Sequence, residues 1–191
     1  MICSTETPHL SYGELLGSFA AQARVHDLTV IDAEPEGLKA DRALIETLLL
    51  NTGRPVIVVP PGQEVFRGGR ILVAWDGSAK AARAVADALP LLKAAQAVEV
   101  ITVTLDEDHA DRLEGADIAT HLARHGVNVT VRNVPARDGD VATTLRDAAV
   151  LSGADLLVMG GFVHSRLHEM FFGGVTQALL KDSPVPLFMA H

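Results

Sequence analysis

Two pairs of glycines, Gly160-Gly161 and Gly173-Gly174, flank a stretch of chain from Met159 to Thr176 that could hold an anion. Because glycine has no side chain, the main chain can approach a phosphate closely at these positions. A helix that begins near Gly174 would direct unpaired N–H groups and the positive end of its dipole at that phosphate. The types and spacing of these residues predict a phosphate-binding loop over Met159–Thr176.

Several side chains of this loop could add hydrogen bonds to an anion. His164, Ser165 and Arg166 lie in the middle of the loop, and their N–H and O–H groups can donate to phosphate oxygens. Thr176 could supply a further hydroxyl near the start of the helix. Arg166 could equally be a surface charge, and the glycines could serve chain geometry alone, so both alternatives stay open.

A second candidate segment, Ala74–Ser78, directly follows an apolar run that is typical of a strand. Asp76 in this segment either faces a ligand or caps the helix that follows, which is a common use of Asp at such a turn. Trp75 either packs in the core or contacts the edge of a base. Ligands of open α/β sheets bind beyond the carboxyl ends of the strands, and both candidate segments reach that edge.

The sequence does not contain the spacing of a known catalytic or metal site. Ser78 lacks the G-x-S-x-G setting of a hydrolase nucleophile. The pairs His121/His125 and His164/His168 are spaced i, i+4, as metal ligands on a helix are, but no H-E-x-x-H pattern or nearby cysteine accompanies them. We therefore predict no catalytic residue and no metal ligand, and we interpret these histidines as solvated.

The composition narrows the fold and the partners. Of the 191 residues, 48% are hydrophobic and only 4% are aromatic, so the core must consist of Val, Leu, Ile and Ala, as is usual where helices cover a parallel sheet. The formal net charge of −8 opposes binding to nucleic acid, which depends on clustered Lys and Arg.

The same sequence predicts a cytoplasmic protein without a membrane partner. A membrane span needs about 18 consecutive apolar residues, and neither such a run nor a secretion signal is found. The single cysteine, Cys3, cannot form a disulfide within the chain, which fits a reducing compartment.

From Arg70 onward, short β-branched runs alternate with longer helical stretches. The predicted strands are Arg70–Ala74, Val98–Val103, Val127–Val134, Leu156–Met159 and Val185–Ala190. The predicted helices are Ala79–Ala95, Asp108–His125, Asp140–Leu151 and Gly174–Lys181. Because strands this apolar need helices on both faces, the alternation predicts an α/β fold with a doubly wound parallel sheet and right-handed crossovers.

The first part of the chain repeats the pattern of the last part. The sequence HDLTVIDAE at His26–Glu34 is similar to ADLLVMGGF at Ala154–Phe162, and Ala43–Pro60 is similar to Val175–His191. Residues 1–62 are therefore predicted to form a half-repeat of order α-β-α-β. A linker at 63–69 would join it to a complete domain at 70–191.

The half-repeat needs a partner for its last predicted strand, Val56–Val59, because half a domain cannot cover its own sheet edge. The equivalent strand Val185–Ala190 is the natural candidate. We predict that these two strands pair, either within the chain or across a dimer.

The glycine pattern resembles that of the universal stress protein family. The nucleotide-binding members of this family carry a strand followed by G-x2-G-x9-G-[ST], an Asp at the end of the first strand, and a Pro-Val strand at the C-terminus. Gly160 and Gly173 occupy the first and third glycines, Val163 stands at the second, and Gly174 stands at the hydroxyl position. The resemblance covers Arg70–His191, and with the half-repeat the chain is similar to a tandem member with a shortened first unit.

This resemblance implies an open five-stranded sheet of order 3-2-1-4-5, similar to the adenine nucleotide alpha hydrolases, and a homodimer through Val56–Val59 and Val185–Ala190. It also implies ATP, ADP or AMP as the ligand, with Mg²⁺ bound alongside it. Asp76 and the backbone around Val103 would then face the ribose and adenine. The residues expected to line the nucleotide site are Ala74, Asp76, Ser78, Val103, Met159, Gly160, Gly161, Val163, His164, Ser165, Arg166, Gly173, Gly174, Val175 and Thr176.

Val163 replaces the second glycine of the family pattern, at a point where the main chain is expected to contact a phosphate. A β-branched side chain adds bulk and disfavours positive φ, so Val163 is expected to hinder contact between the main chain and a phosphate. Gly161 offers another flexible point nearby.

Three functions from different classes fit these observations. The favoured hypothesis is a stress-response module that binds a small adenine nucleotide and acts through occupancy and dimerisation. One alternative is an interaction or assembly module with an empty pocket. The other is a weak Mg²⁺-dependent nucleotide hydrolase that uses Asp76.

Overall fold

The computed structural model describes residues 3–7, 9–33, 38–105, 115–161, 163–166 and 169–191. Its helices are α1 (Tyr12–Ala23), α2 (Leu38–Asn51), α3 (Ala79–Ala94), α4 (Ala116–Arg124), α5 (Val141–Ser152) and α6 (Gly174–Lys181). Its strands are β1 (Thr29–Asp32), β2 (Val56–Val59), β3 (Arg70–Ala74), β4 (Ala97–Thr104), β5 (Val129–Pro135), β6 (Leu156–Gly160), β7 (Val163–Arg166), β8 (Glu169–Phe172) and β9 (Leu187–Ala190). Among the described residues, β7 pairs with β8, and the other seven strands form one sheet of order β1-β2-β9-β6-β3-β4-β5.

The five strands of the C-terminal part lie side by side in the order β5-β4-β3-β6-β9 and are all parallel. Numbered along the chain from β3, this is the order 3-2-1-4-5, so the predicted α/β fold is confirmed. The chain runs outward from β3 to β5 and returns to β6 on the other side of β3. The strand order therefore reverses between β3 and β6, which is where open α/β sheets bind their ligands.

Strands β1 and β2 extend this sheet to seven strands, two more than the resemblance implies. β2 pairs antiparallel with β9, with Ile57 opposite Phe188, and β1 pairs parallel with β2. The predicted pairing of the two terminal strands is confirmed, and it occurs within a single chain. Within the chain, β9 pairs with β6 and β2, and β2 pairs with β1 and β9. The homodimer expected through these strands stays a prediction.

The N-terminal segment and the C-terminal domain make equivalent main-chain hydrogen bonds. In each, a residue near the start of one strand donates to the carbonyl of the proline that precedes the neighbouring strand. The residue after the first strand donates to the last residue of the neighbouring strand. These bonds are Thr29 N–H to Pro55 O (3.2 Å), Leu157 N–H to Pro186 O (3.0 Å), Ala33 N–H to Val59 O (2.8 Å) and Gly161 N–H to Ala190 O (2.7 Å). The β2–β9 register centred on Ile57 and Phe188 relates the two segments by an approximate twofold axis.

The helices divide between the two faces of the sheet. α1, α2, α5 and α6 bury apolar side chains against one face, and α3 and α4 bury theirs against the other. Successive strand residues alternate between the faces. Leu157 accordingly packs on the first face and Val158 on the second, and both are fully buried.

Most predicted helix and strand bounds from Arg70 onward lie within two residues of the observed ones. The prediction for α4 is wrong at its start, because this helix begins at Ala116 rather than Asp108. Gly115 precedes it with a φ of 95°, a left-handed conformation that a helix cannot continue through. Residues 108–114 of that prediction lie outside the described ranges. In the described part of the chain, no helix is both long and apolar enough to cross a membrane.

We predict unequal effects from the loss of two equivalent carboxylates. Asp155 accepts hydrogen bonds from the amides of Gly69 (2.8 Å) and Arg70 (2.9 Å) and so ties the start of β3 to β6. Asp155→Ala should lower the free energy of unfolding by about 1–3 kcal/mol, because two amides lose their acceptor. Its repeat equivalent, Asp27, is exposed and has no hydrogen-bond partner among the described residues, so Asp27→Ala should stay within about 0.5 kcal/mol of the parent.

Urea unfolding of both variants provides the measurement. Equal losses for Asp155→Ala and Asp27→Ala would show that the amide contacts of Asp155 do not hold β3 in place.

Candidate functional site

A cavity of about 310 Å³ opens at the carboxyl ends of β3, β4 and β6, at the point where the strand order reverses. α5 and the first turn of α6 complete its wall. The lining residues are Ala74, Trp75, Asp76, Ile101, Val103, Val141, Leu145, Met159, Gly160, Gly173, Gly174, Val175 and Thr176. Its position is the one at which open α/β sheets bind ligands, so this cavity is the candidate ligand site.

The structure brings most of the predicted site residues together in this wall. Those that line the cavity are Ala74, Asp76, Val103, Met159, Gly160, Gly173, Gly174, Val175 and Thr176. Ser78 lies beside the cavity wall and accepts a hydrogen bond from the amide of Ala81 (3.1 Å), so it caps α3. Gly161 also lies outside the wall, and its amide donates to the carbonyl of Ala190.

Sequence reasoning missed three lining residues, Ile101, Val141 and Leu145. A signal for each exists in hindsight. Ile101 lies two residues before Val103 and therefore on the same face of β4. Val141 and Leu145 are spaced i, i+4 and share one face of α5.

The predicted phosphate-binding loop contains a β-hairpin that sequence reasoning did not anticipate. β7 and β8 pair antiparallel, from Val163 opposite Phe172 to Arg166 opposite Glu169. Valine and phenylalanine favour such extended conformations. The hairpin therefore replaces the irregular loop that the glycine pattern had suggested.

The hairpin also corrects the expectation for Val163. This residue lies in an extended strand, so no positive φ is demanded of it, and the expected conflict with its β-branched side chain does not arise. The side chains of β7 lie outside the described part of the chain. The anion contacts predicted for His164, Ser165 and Arg166 therefore stay predictions.

Gly160 allows β6 to approach the first turn of α3 more closely than any other residue could. A Cβ at this position would lie 2.8 Å from the amide nitrogen of Ala81 and 2.9 Å from the carbonyl carbon of Lys80. Both are backbone atoms that cannot move aside as a flexible side chain can. Gly160 is thus required by packing, and this packing brings the end of β6 and the start of α3 together at the cavity.

The N-terminus of α6 faces the cavity without a side-chain cap. Its N-cap residue is Gly173, which has no side chain that could accept a hydrogen bond from the first turn. The first backbone bond within the helix runs from the amide of Gln177 to the carbonyl of Gly173 (2.9 Å). The amides of Gly174 and Val175 therefore have no acceptor within the helix, and the positive end of its dipole points into the cavity.

Two polar side chains of the wall differ in their access to a ligand. Asp76 is exposed at the rim, and its carboxylate accepts a hydrogen bond from the amide of Ser78 (3.0 Å). It therefore holds the turn before α3, as one interpretation of this residue expected. It also lines the cavity, and its contact with a ligand stays a prediction. Thr176 is fully buried, so its hydroxyl lies within the wall rather than on the rim.

Two ionisable residues outside the cavity wall, Asp140 and His191, have shifted pKa values. Asp140 caps α5, and hydrogen bonds from the hydroxyl and amide of Thr143 lower the pKa of its carboxyl. Burial, together with the positive charge of Lys80, lowers the pKa of His191. Asp76 is the single ionisable side chain among the described lining residues, so an anion in the cavity would depend on backbone amides for direct contacts.

The described residues contain no cluster of three His, Cys, Asp or Glu side chains that could hold a metal ion. The rings of His121 and His125 lie 4.7 Å apart in an edge-to-face arrangement at the end of α4. Both are exposed, in keeping with their interpretation as solvated helix residues.

Residues 69–191 match the universal stress protein family, and this match spans well over half of the chain. The chain belongs to the universal stress protein family. The matched range includes the cavity wall, the two glycine pairs of the site and all five parallel strands of the C-terminal part. No curated protein matched this universal stress protein in a sequence comparison.

Solved structures share the fold at low sequence identity. A universal stress protein from Archaeoglobus fulgidus DSM 4304 is similar over 92% of this chain, with 19% identity and a TM-score of 0.65. The functionally unknown protein PA1789 from Pseudomonas aeruginosa PAO1 is similar over 96% of this chain and 68% of its own, with 18% identity and a TM-score of 0.62. UspA from Lactobacillus plantarum is similar over 65% of this chain and 99% of its own, with 20% identity and a TM-score of 0.51. The chain spans only 64% of the length of the Archaeoglobus protein.

We predict opposite tolerance at two glycines of the site. Gly160→Ala forces a Cβ against backbone atoms of α3 and should lower the free energy of unfolding by about 1–3 kcal/mol. Gly174→Ala is the matched control, because nothing lies within 4 Å of a Cβ there. That change should be neutral or should stabilise the protein by up to about 1 kcal/mol through the unfolded state.

Chemical denaturation monitored by circular dichroism measures both effects. An unchanged midpoint for Gly160→Ala would mean that β6 and α3 are not in the close contact described.

Proposed function

We propose that this universal stress protein binds a small adenine nucleotide, ATP, ADP or AMP, in the cavity at the carboxyl ends of β3, β4 and β6. The base lies against the apolar wall, and the phosphates lie at the start of α6. The protein acts in a cytoplasmic stress response through occupancy of the cavity rather than through turnover.

The apolar end of the cavity supports the placement of the base. Ile101 and Val103 of β4 and Val141 and Leu145 of α5 all line the cavity and belong to one apolar cluster. A purine ring needs flat apolar contact on its faces, and ligand pockets are typically lined in this way. The cavity volume of about 310 Å³ lies at the lower end of the range of about 300–1,000 Å³ that small-molecule sites occupy.

The uncapped N-terminus of α6 is the single observation that carries the proposal. Gly174 and Val175, whose amides have no acceptor within the helix, line the same cavity as the apolar side chains. Backbone amides and a helix dipole suffice to bind phosphate without a cationic side chain. One cavity therefore offers an apolar contact for a base and an anion-binding end for phosphates.

Mg²⁺ would accompany a nucleotide bound in this way. Proteins usually hold Mg²⁺ with one or two carboxylates together with the phosphates of the ligand, and Asp76 supplies a carboxylate at the rim. Asp76 is also the base that a weak hydrolase would have to use. It is engaged with the amide of Ser78, which favours binding without turnover.

We further propose that the N-terminal α-β-α-β segment is a shortened first universal-stress-protein unit. The main-chain hydrogen bonds between its two strands repeat those between β6 and β9. Its last strand occupies the edge of β9. The terminal strands β2 and β9 thus pair within one chain. In a dimer, each would pair with a strand of a second copy.

The proposal predicts that a negative charge at the start of α6 raises the stability of the protein but weakens nucleotide binding. Gly174→Asp fits into open space and should stabilise α6 by about 0.3–1 kcal/mol, because an acid at a helix N-terminus is favourable. The same charge repels phosphate and should weaken ATP binding by about tenfold or more. Gly174→Asn, which has the same shape without the charge, is the matched control and should retain most of the affinity.

Titration calorimetry with ATP, ADP and AMP measures the affinities, and thermal melts provide a second readout. A nucleotide at about 100 times its Kd should add about 2.7 kcal/mol of stability. The proposal fails if no nucleotide shifts the melting temperature and none is released from the denatured protein, or if the Asp and Asn variants bind equally well.

A further inference from the structure

The short helix α6 depends on its neighbours for its position. It spans 8 residues, Gly174–Lys181, and isolated helices of fewer than about 12 residues are marginal in water. Its N-terminal end has no side-chain cap. Its C-cap residue, Asp182, has a φ of −153° rather than the left-handed conformation that commonly closes a helix. Contacts from other elements must therefore fix this helix in place.

Arg146 of α5 supplies such a contact at the C-terminal end of α6. Its Nη2 donates a hydrogen bond to the carbonyl of Ala178 (2.7 Å), and its Nε donates to the carbonyl of Asp182. The carbonyl of Asp182 has no partner within the helix. A positive charge at this end also interacts favourably with the helix dipole. One side chain thus holds the end of α6 that lies away from the cavity.

The guanidinium of Arg146 is itself held on α5. Its Nη1 donates to the hydroxyl of Thr143 (3.3 Å), and that hydroxyl donates to the carboxylate of Asp140 (2.7 Å), the residue that caps α5. Each of the three guanidinium nitrogens therefore has a hydrogen-bond partner. Because the guanidinium is planar, these three contacts fix its orientation, which the single nitrogen of a lysine could not reproduce.

Arg146 thereby joins the two helices that line the cavity. Leu145, the residue before it, belongs to the apolar wall on α5, and Gly174 and Val175 belong to the first turn of α6. A helix of eight residues is about 12 Å long, so a tilt of about 5° shifts one end against the other by about 1 Å. A shift of that size makes or breaks a hydrogen bond from an amide. The contact at the far end of α6 therefore decides where its free amides point.

We propose that Arg146 is a positioning residue of the nucleotide site and makes this site selective for phosphorylated nucleosides. It fixes α6 relative to α5, so that the amides of Gly174 and Val175 meet the phosphates while the base lies against the apolar wall. Arg146 does not line the cavity and acts only through α6. This inference rests on the proposed nucleotide binding and assigns its selectivity to a residue outside the wall.

The test compares adenosine with ATP, because only ATP has phosphates that the amides of α6 could bind. Titration calorimetry gives the ratio of the two affinities for the parent protein and for each variant. Arg146→Lys keeps the positive charge but loses the fork of three nitrogens. Thr143→Val removes the hydroxyl that holds Nη1. Asp155→Ala is the matched control for a general loss of stability, since it removes two hydrogen bonds at the amino ends of β3 and β6.

We expect the parent to bind ATP more tightly than adenosine. Arg146→Lys should lower the ratio of the two affinities by about tenfold, while the affinity for adenosine itself should change by less than about threefold. Thr143→Val should lower the ratio in the same direction to a smaller extent. Asp155→Ala should lower the stability and leave the ratio unchanged, because its contacts lie away from α6.

The outcomes separate this inference from the proposed function. An unchanged ratio for Arg146→Lys, with or without a loss of stability, would overturn the inference and leave the proposed function intact. If Arg146→Lys does not fold, an unchanged ratio for Thr143→Val would overturn it in the same way. A parent that binds neither adenosine nor ATP, or that binds both equally, would contradict the proposed function and this inference together.

Discussion

The antiparallel pairing of β2 with β9 is the contact on which the arrangement of the whole chain depends. It places Ile57 opposite Phe188 and joins the N-terminal segment to the C-terminal domain in one sheet. A shift of this register by one residue would turn every side chain of β2 to the opposite face. Because α1 and α2 pack on one face only, the helices and the strand pairing enforce the same register.

The C-terminal domain provides the described wall of the candidate nucleotide site, and the N-terminal segment packs next to that wall. All described residues of the cavity wall lie between Ala74 and Thr176. Gly161, directly after the wall residue Gly160, lies close to Leu49 of α2, whose side chain would be 3.1 Å from a Cβ added there. The cavity thus owes its shape to the reversal of strand order, to the approach of α3 at Gly160, and to an α6 that begins without a side-chain cap.

The two repeats differ in what surrounds equivalent strands. β6 lies between β3 and β9 and beneath α3, whereas β1 has a neighbour on one side only. Asp155 and Asp27 occupy equivalent positions, yet only Asp155 meets two backbone amides. Similar local sequences therefore form a half-buried contact between strands in one repeat and an open edge with an exposed Val30 in the other.

Local patterns in the sequence determined the alternation of strands and helices, the start of α3 at Ala79, the two glycine pairs of the site and the repeat that pairs β2 with β9. These features depend on residues that are close in sequence, through periodicity, capping and the absence of a Cβ. The resemblance to universal stress proteins supplied the order of the five parallel strands and most of the cavity wall. Tertiary structure alone decided that the terminal strands pair within one chain, because the same two strands could equally pair across a dimer. The hairpin that contains Val163 is local, but the glycine pattern favoured an irregular loop there. Tertiary structure also decided that Ile101, Val141 and Leu145 reach the cavity, because that outcome depends on which distant segments meet at the sheet edge.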